Sequence, residues 1–350
     1  MLIAFINDTH FGVKNSSDIF LNYQERFFGE IFFPYCVEHG IKKVIHKGDF
    51  YEHRKYVGIK TLNRTREFFI EKLREHGMTM DIIPGNHDCY YKNTNKLNSL
   101  TESLVHFRDV ISVYMDPIVN EYDGLSIALL PWITADNYAD SLEFIKTANA
   151  SILAAHLELQ GFEMMKGAPV MSHGLGSDIF ARYEMVLTGH YHTKSTKGNI
   201  YYLGTQYELT WADANDPKYF HTLDTATREL KQIRNPITLF NKIIYNDSPK
   251  MKLPNITGTF VKVIVTSKKD PKQFDTFIDR IQKQDPFELK IVESYSEFTG
   301  EAIDDDAISL VDTGSLLNSY VDAIETDLDK ERIKTLLHEL YVEAQSLDAL

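Results

Sequence analysis

The chain is poor in cysteine, in long apolar runs and in net positive charge, and each shortage closes a class of function. Two cysteines in 350 residues, Cys36 and Cys89, cannot build a disulfide framework or a cysteine-type zinc site, which suits a reducing compartment. No apolar run approaches the ~18 residues needed to span a bilayer. The start, MLIAFINDTH, has no basic segment ahead of its few apolar residues, so neither secretion by signal peptide nor membrane insertion is expected. Low-complexity tracts are also missing, and 43% hydrophobic with 25% charged residues is ordinary for a soluble globular protein.

The formal net charge of −13 argues against a nucleic-acid partner until it is divided along the chain. Residues 297–350 hold 14 acidic and 3 basic residues, and residues 1–296 hold 36 and 34. The acidity belongs to the tail, so the main body can face a phosphate substrate.

What is present is a repeated pattern of apolar runs that end in polar residues. LIAFIND (2–8), KVIHKGD (43–49), MDIIPGNHD (80–88), SIALLPW (126–132), SILAAHLE (151–158), MVLTGHYH (185–192) and IYYLGT (200–205) are predicted strands buried on at least one face. Helical patterns lie between the early ones, and later strands follow at shorter intervals. The prediction is an α/β layered fold whose sheet is mixed and doubled into a sandwich. Turn formers in NDSPKMKLPNITG (246–258) mark a linker. Beyond a main domain at 1–245 we expect a strand-helix-strand unit at 257–296, an acidic linker at 297–309 and two amphipathic helices at 310–347. A lone helical pair can hardly bury both of its apolar stripes, so a partner surface is expected there.

The polar ends of the strands carry the chemistry. Asp8 and His10 lie two apart, so both side chains leave the same face of an extended segment. Asp49 closes the second run, Asn86 and His87 the third, His156 a later one, and His190 with His192 repeats the two-apart geometry. A single such residue is usually a cap or turn. Five segments of the form D-x-H, G-D, G-N-H-D, H and G-H-x-H, converging from separate strand ends, suit two borderline divalent ions such as Mn²⁺, Fe²⁺ or Zn²⁺. His46 is expected in the core or on a sheet surface.

DTHFG, GDFYEHR, PGNHD, AAHLE and TGHYHT together resemble the calcineurin-like metallophosphoesterases. Within them the chain is similar to the SbcD-type nuclease subunits of double-strand-break repair complexes, and most of all to those of tailed phages. YLGTQYELTWAD, the strand-helix-strand unit and the helical tail carry that likeness. It implies a four-layer sandwich of mixed sheets flanked by helices, with a small capping, DNA-binding domain. It implies Asp8, His10, Asp49 and His192 on a first metal and Asp49, Asn86, His156 and His190 on a second. The pair would be Mn²⁺, with Mg²⁺, Fe²⁺ or Zn²⁺ under other conditions. His87 would face the scissile phosphate, with Asp88 holding its other ring nitrogen. Some relatives carry a histidine three residues after the bridging aspartate; here that position is Glu52, and Gln206 replaces a usual proline.

The implied activity is Mn²⁺-dependent cutting of DNA, as exonuclease on duplex and endonuclease on single strands and hairpins, in repair, recombination and replication. Candidate DNA contacts are Lys14, Arg54, Lys55, Lys92 and the loop residue His173, with Lys60, Arg64, Arg66 and Lys96 nearby and Lys262, Lys268, Lys269 and Lys272 in the small domain. The tail helices would dock onto an SbcC-type ATPase, and helices near 59–76 and 95–108 would form a homodimer contact. The expected location is the cytoplasm, of the host cell for a phage protein, with no membrane partner. Two rivals stand beside this reading: another phosphoesterase acting on phosphoproteins or small phosphodiesters, and a non-catalytic scaffold on the same fold.

Overall fold

A computed structural model of the chain describes residues 1–163, 171, 174–248 and 251–293, together with 321, 330, 332–334 and 337. Two compact units divide it, Met1–Glu293 and Ser294–Leu350. In the second unit the described residues are helical. The predicted acidic linker, most of the tail helices and His173 lie outside the described residues.

The first unit opens with β1 (Leu2–Ile6), β2 (Lys43–His46) and β3 (Thr79–Ile82), parallel and adjacent. A long helix runs through Asp18–Arg26, Phe27–Phe32 and Phe33–Glu38 after β1, and another through Ile59–Thr65, Arg66–Ile70 and Glu71–Glu75 after β2. Then come a hairpin of β4 (Cys89–Tyr91) and β5 (Thr94–Asn98), and β6 (Ile111–Val113) beside β3. A second sheet takes β7 (Ile118–Tyr122), β8 (Leu125–Leu130), β9 (Ile152–His156), β10 (Met185–Gly189), β11 (Ser195–Lys197) and β12 (Ile200–Tyr202). Strand β13 (Lys218–Asp224) returns antiparallel to β1, and β14 (Leu230–Asn235) pairs antiparallel with β13 at the sheet edge. The sheet orders are β14-β13-β1-β2-β3-β6 and β11-β12-β10-β9-β8-β7.

Three apolar layers hold this arrangement. Ile3, Phe5 and Ile45 of the first sheet meet Ile127, Leu129, Ile152 and Leu187 of the second in a core between the sheets. Outside the first sheet the two long helices bring Phe27, Phe28, Phe32, Phe68 and Phe69 together, with the rings of Phe28 and Phe69 4.7 Å apart. Outside the second, Ile145 of the helix Tyr138–Thr147 packs with Leu130, Leu153 and Val186. Each such side chain contributes ~1.5–3 kcal/mol by leaving water. The result is helix, sheet, sheet, helix, the four-layer sandwich expected.

The third sheet, β15 (Phe240–Asn246), β16 (Phe260–Ser267) and β17 (Glu288–Glu293), is parallel, with the helix Pro271–Gln282 on one face. It departs from the expected boundary, because β15 lies largely within 1–245 yet pairs along its length with β16. The strand-helix-strand unit thus gains a strand, and the turn-rich segment before β16 puts Ile256 into the small core. The predicted helix at 95–108 is also corrected: Thr94–Asn98 pairs with Cys89–Tyr91 as a strand, and only Ser99–Ser103 and Val105–Phe107 wind helically. Among the described residues no helix is long and apolar enough to cross a membrane.

Candidate metal centre

The carboxyl ends of β1, β2 and β3 open on the same edge as those of β9 and β10, so the runs that ended in polar residues deliver them to one place. The strands must come very close there. A Cβ on Gly48 would lie 2.5 Å from the Gly85 nitrogen, and one on Gly85 would lie 2.2 Å from Asp49 Oδ1; glycine alone permits the approach. Four of the converging residues also take left-handed backbone, Asp8 (φ 48°), His10 (44°), Asp49 (54°) and His190 (87°). Such conformations cost about 1–3 kcal/mol each and persist where packing over-determines them.

Seven predicted ligands come together. His10 Nε2 lies 3.2 Å from His192 Nε2 and 3.7 Å from Asp49 Oδ2. Asn86 Oδ1 lies 3.1 Å from His156 Nε2 and 2.9 Å from His190 Nδ1. Asp49 Oδ2 is 3.4 Å from His156 Nε2, so this one carboxylate touches both groups. Three overlapping clusters of donor atoms result: Asp8, His10 and His192; Asp49, His156 and His190; and His10, Asp49 and His87.

The electrostatics divide the histidines: burial and the His156 charge hold His190 down at about 3, and burial and the His10 charge lower His192, while the groups beside the carboxylates go the other way. Burial pulls His10 down, but the Glu52, Asp49 and Asp8 carboxylates outweigh it and lift the imidazole to about 10. Burial likewise opposes His156, and Asp49 raises it to about 9. Burial pushes Asp49 up, and the His156 and His87 charges more than reverse that, leaving it well below the usual range. Carboxylates, imidazoles and an amide oxygen brought to one place fit borderline divalent cations.

Groups behind the ligands set their orientation. His156 Nδ1 donates to the Lys47 carbonyl at 2.7 Å, which turns Nε2 inward. His10 Nδ1 meets the Glu52 carboxylate at 2.7 Å, with the same effect. Asn7 Nδ2 donates to Asp8 Oδ2 at 2.5 Å and to the Gly204 carbonyl at 2.9 Å. Lys218 Nζ donates to the His192 carbonyl at 3.0 Å and to Asp213 at 2.6 Å. Trp132 lies 5.1 Å from the His190 ring and 5.7 Å from that of His156.

His87 stands at the rim, its ring edge-on to His10 at 4.9 Å. Its orienting group is not the expected one. His87 Nδ1 donates to the main-chain carbonyl of Glu52 at 2.6 Å, whereas the Asp88 carboxylate turns inward. There Asp88 accepts the main-chain N–H groups of Asp49 (2.8 Å), Phe50 (3.0 Å) and Gly85 (2.8 Å). Asp88 is fully buried, and burial with the Asp49 charge lifts it to about 7. With the Tyr51 N–H at 3.4 Å as a fourth donor, it ties the two loops together, because four converging N–H donors outbid one imidazole.

Glu52, Asn7, Trp132 and Lys218 were missed as participants. Asn7 adjoins a ligand and Glu52 occupies a position already marked as unusual; Trp132 and Lys218 left no local signal. Of the candidate DNA contacts, Lys14 and Lys55 are exposed, Arg54 is half-buried, and Lys92 is exposed at the hairpin turn between β4 and β5. Lys60 pairs with Asp18, Arg64 with Glu25 and Arg66 with Glu67 on helix surfaces. His46 is buried against Thr9.

The fold and this centre belong to a phosphoesterase: residues 1–194 match the calcineurin-like phosphoesterase family, and the chain belongs to that family. More narrowly, the chain is 34% identical over 347 residues to exonuclease subunit 1 of Enterobacteria phage T4, covering 98% of this chain and 99% of that one. The resemblance to phage nuclease subunits thus spans nearly the full length. Among solved structures, an archaeal phosphodiesterase is 16% identical over 67% of this chain and 100% of its own, with a TM-score of 0.35. A purple acid phosphatase from yellow lupin seeds is 9% identical over 66% and 52%, with a TM-score of 0.39.

Proposed function

We propose that the chain is a metal-dependent DNA nuclease that cuts phosphodiesters in duplex ends and in single strands, working with an SbcC-type ATPase. The observation that carries this reading is the likeness to exonuclease subunit 1, which runs through the small domain and the tail as well as the phosphoesterase domain. A hydrolase of small phosphodiesters or phosphoproteins has no need of residues 250–350. A scaffold without chemistry would be expected to have lost ligands, and none is lost.

In this reading Asp8, His10 and His192 hold one ion, Asn86, His156 and His190 the other, and Asp49 both, with Mn²⁺ as the expected metal. When bound, the pair supplies charge neutralisation for the phosphate and an activated water for in-line attack. The chain does the rest. Asn7 and the His190 N–H fix the Asp8 carboxylate. The Glu52 carbonyl holds the Nδ1 proton of His87 and turns Nε2 toward the departing oxygen; His87 carrying a second proton on Nε2 would give that proton to the oxygen and return to the neutral ring. Exposed Lys92, with Tyr90 and Tyr91 on the same hairpin, offers charge and rings to a strand beside His87.

The domain assignments belong to the same proposal: a nuclease domain, a small DNA-binding domain, and a tail at 310–347 that docks on the ATPase. Purified protein with Mn²⁺ and the ATPase should cut linear duplex and single-stranded DNA, and Asp8→Ala should not. No cutting by either protein refutes the nuclease reading. Deleting residues 310–350 should abolish complex formation; an unchanged complex refutes the tail assignment.

A further inference from the structure

The small sheet has two unlike faces. On one, Ile243, Tyr245, Val261 and Val263 pack against Phe274 and Phe277 of the helix Pro271–Gln282. Because side chains alternate along a strand, the residues between them point the other way, and the register sets them in rows. Phe240 is opposite Phe260, and Lys242 is opposite Lys262, which is opposite Lys290. Ile244 is opposite Ile264, which is opposite Val292.

The lysine row is unfavourable as a piece of sheet. Like charges directly across a strand pair destabilise it. Burial lowers Lys242, and burial followed by the charges of Lys242 and Lys290 lowers Lys262. Among the described residues none of the three forms an ion pair. The Lys262 ammonium instead sits 4.3 Å from the centre of the Trp211 ring, a cation–π contact that fixes its direction.

The row also has a defined place. The aromatic row beside it is the junction with the main body, where Phe240 meets Trp211 at 4.9 Å and Phe20 at 6.1 Å. Two residues beyond Trp211, Asp213 pairs with Lys218, which holds the His192 carbonyl. The lysines therefore open on the side where the small sheet adjoins the first half of the metal centre.

We infer that Lys242, Lys262 and Lys290 form a phosphate track that binds the backbone of one nucleic-acid strand, with Trp211 positioning the middle lysine. The inference rests on the DNA-nuclease reading and adds a site to it. Strands ~4.8 Å apart spread three ammonium groups over about 10 Å, close to three nucleotides of a single strand at ~3.4 Å each. Neither Lys242 nor Lys290 is marked in sequence, since only the parallel register brings them beside Lys262.

The test is binding of a fluorescein-labelled single-stranded 15-mer to full-length protein in EDTA across a salt series, for wild type and for Lys242→Gln, Lys262→Gln and Lys290→Gln singly and together. Each substitution should lower the slope of log affinity on log salt by about 0.7, so the triple variant loses roughly a hundredfold at 0.1 M salt. Its thermal midpoint should not fall below that of wild type, since repulsion is relieved, and its turnover of bis(4-nitrophenyl) phosphate with Mn²⁺ should be unchanged. A wild type that binds the 15-mer beside a triple variant with the same affinity and slope overturns the track alone. A wild type that does not bind it overturns both the track and the DNA reading.

Discussion

Asp8, His10 and His192 stand on one side of Asp49, and Asn86, His156 and His190 on the other, and the groups behind the two sets differ in kind. The first half leans on side chains: the Glu52 carboxylate on His10, the Asn7 amide on Asp8 and the Lys218 ammonium on the main chain of His192. In the second half the orienting hydrogen bond is to main chain, the Lys47 carbonyl on His156, with the Trp132 ring packed beside His156 and His190. Between them Asp88 gathers the N–H groups of both loops that meet at Asp49. A bond made by a carbonyl survives substitution of its own side chain, whereas one made by a carboxylate does not. The halves should therefore be separable by mutation, the first far more easily than the second.

The largest effect should come from the residue they share. Asp49→Ala is expected to abolish both metal sites and all cleavage, read as ions bound per chain by calorimetry with Mn²⁺; one ion retained at full affinity would mean that the carboxylate is not shared. Next, Asp88→Ala leaves the four main-chain N–H donors of Asp49, Phe50, Tyr51 and Gly85 without that acceptor, at ~1–3 kcal/mol each, so loss of about 3 kcal/mol or more is expected in a denaturant titration. Unchanged stability with lost cleavage would instead restore the role of Asp88 as a partner of His87.

A control of intermediate size lies outside both halves. Glu208 accepts the N–H groups of Leu239 and Phe240 where the small sheet begins, and burial lifts it from 4.5 to about 7 against those bonds. Since its folded value lies above the unfolded one, its contribution to stability is full below pH 4.5 and lost as pH rises through about 7. Glu208→Gln should gain on wild type between pH 5 and 8 by up to ~3 kcal/mol, with metal binding unchanged at both. The smallest effect sharpens the contrast most. Glu52→Ala should weaken the first ion about 10- to 100-fold and leave the second alone, while Glu52→Gln, which keeps an acceptor for His10, restores most of the loss. Equal weakening of both ions would erase the distinction.

What could be read in the sequence was local. The seven proposed ligands follow five apolar runs, so LIAFIND, KVIHKGD, MDIIPGNHD, SILAAHLE and MVLTGHYH announce both a strand and the group at its end. The layered fold followed from the same runs. What escaped was decided by pairing at a distance. β15 looked like the end of the main domain because nothing within 240–246 says that its partner is 260–267. Nothing within 95–108 announces a strand, yet Thr94–Asn98 finds Cys89–Tyr91 across a short turn. Asp88, next to His87, invited a pairing that adjacency does not secure, because consecutive side chains diverge. Glu52 was visible as a departure, while its two contacts, one to each histidine, depend on its loop pairing with Phe11 beyond β1.

The division of labour within PGNHD is tested most directly by loading His87→Gln with Mn²⁺ and measuring, on the same preparation, ions bound per chain and cleavage of end-labelled linear duplex with the ATPase present. The expected result is two ions bound as tightly as in wild type and no cleavage. Cleavage at the wild-type rate, or loss of an ion, would contradict the assignment of His87 to the phosphate and of its neighbour Asn86 to the metal.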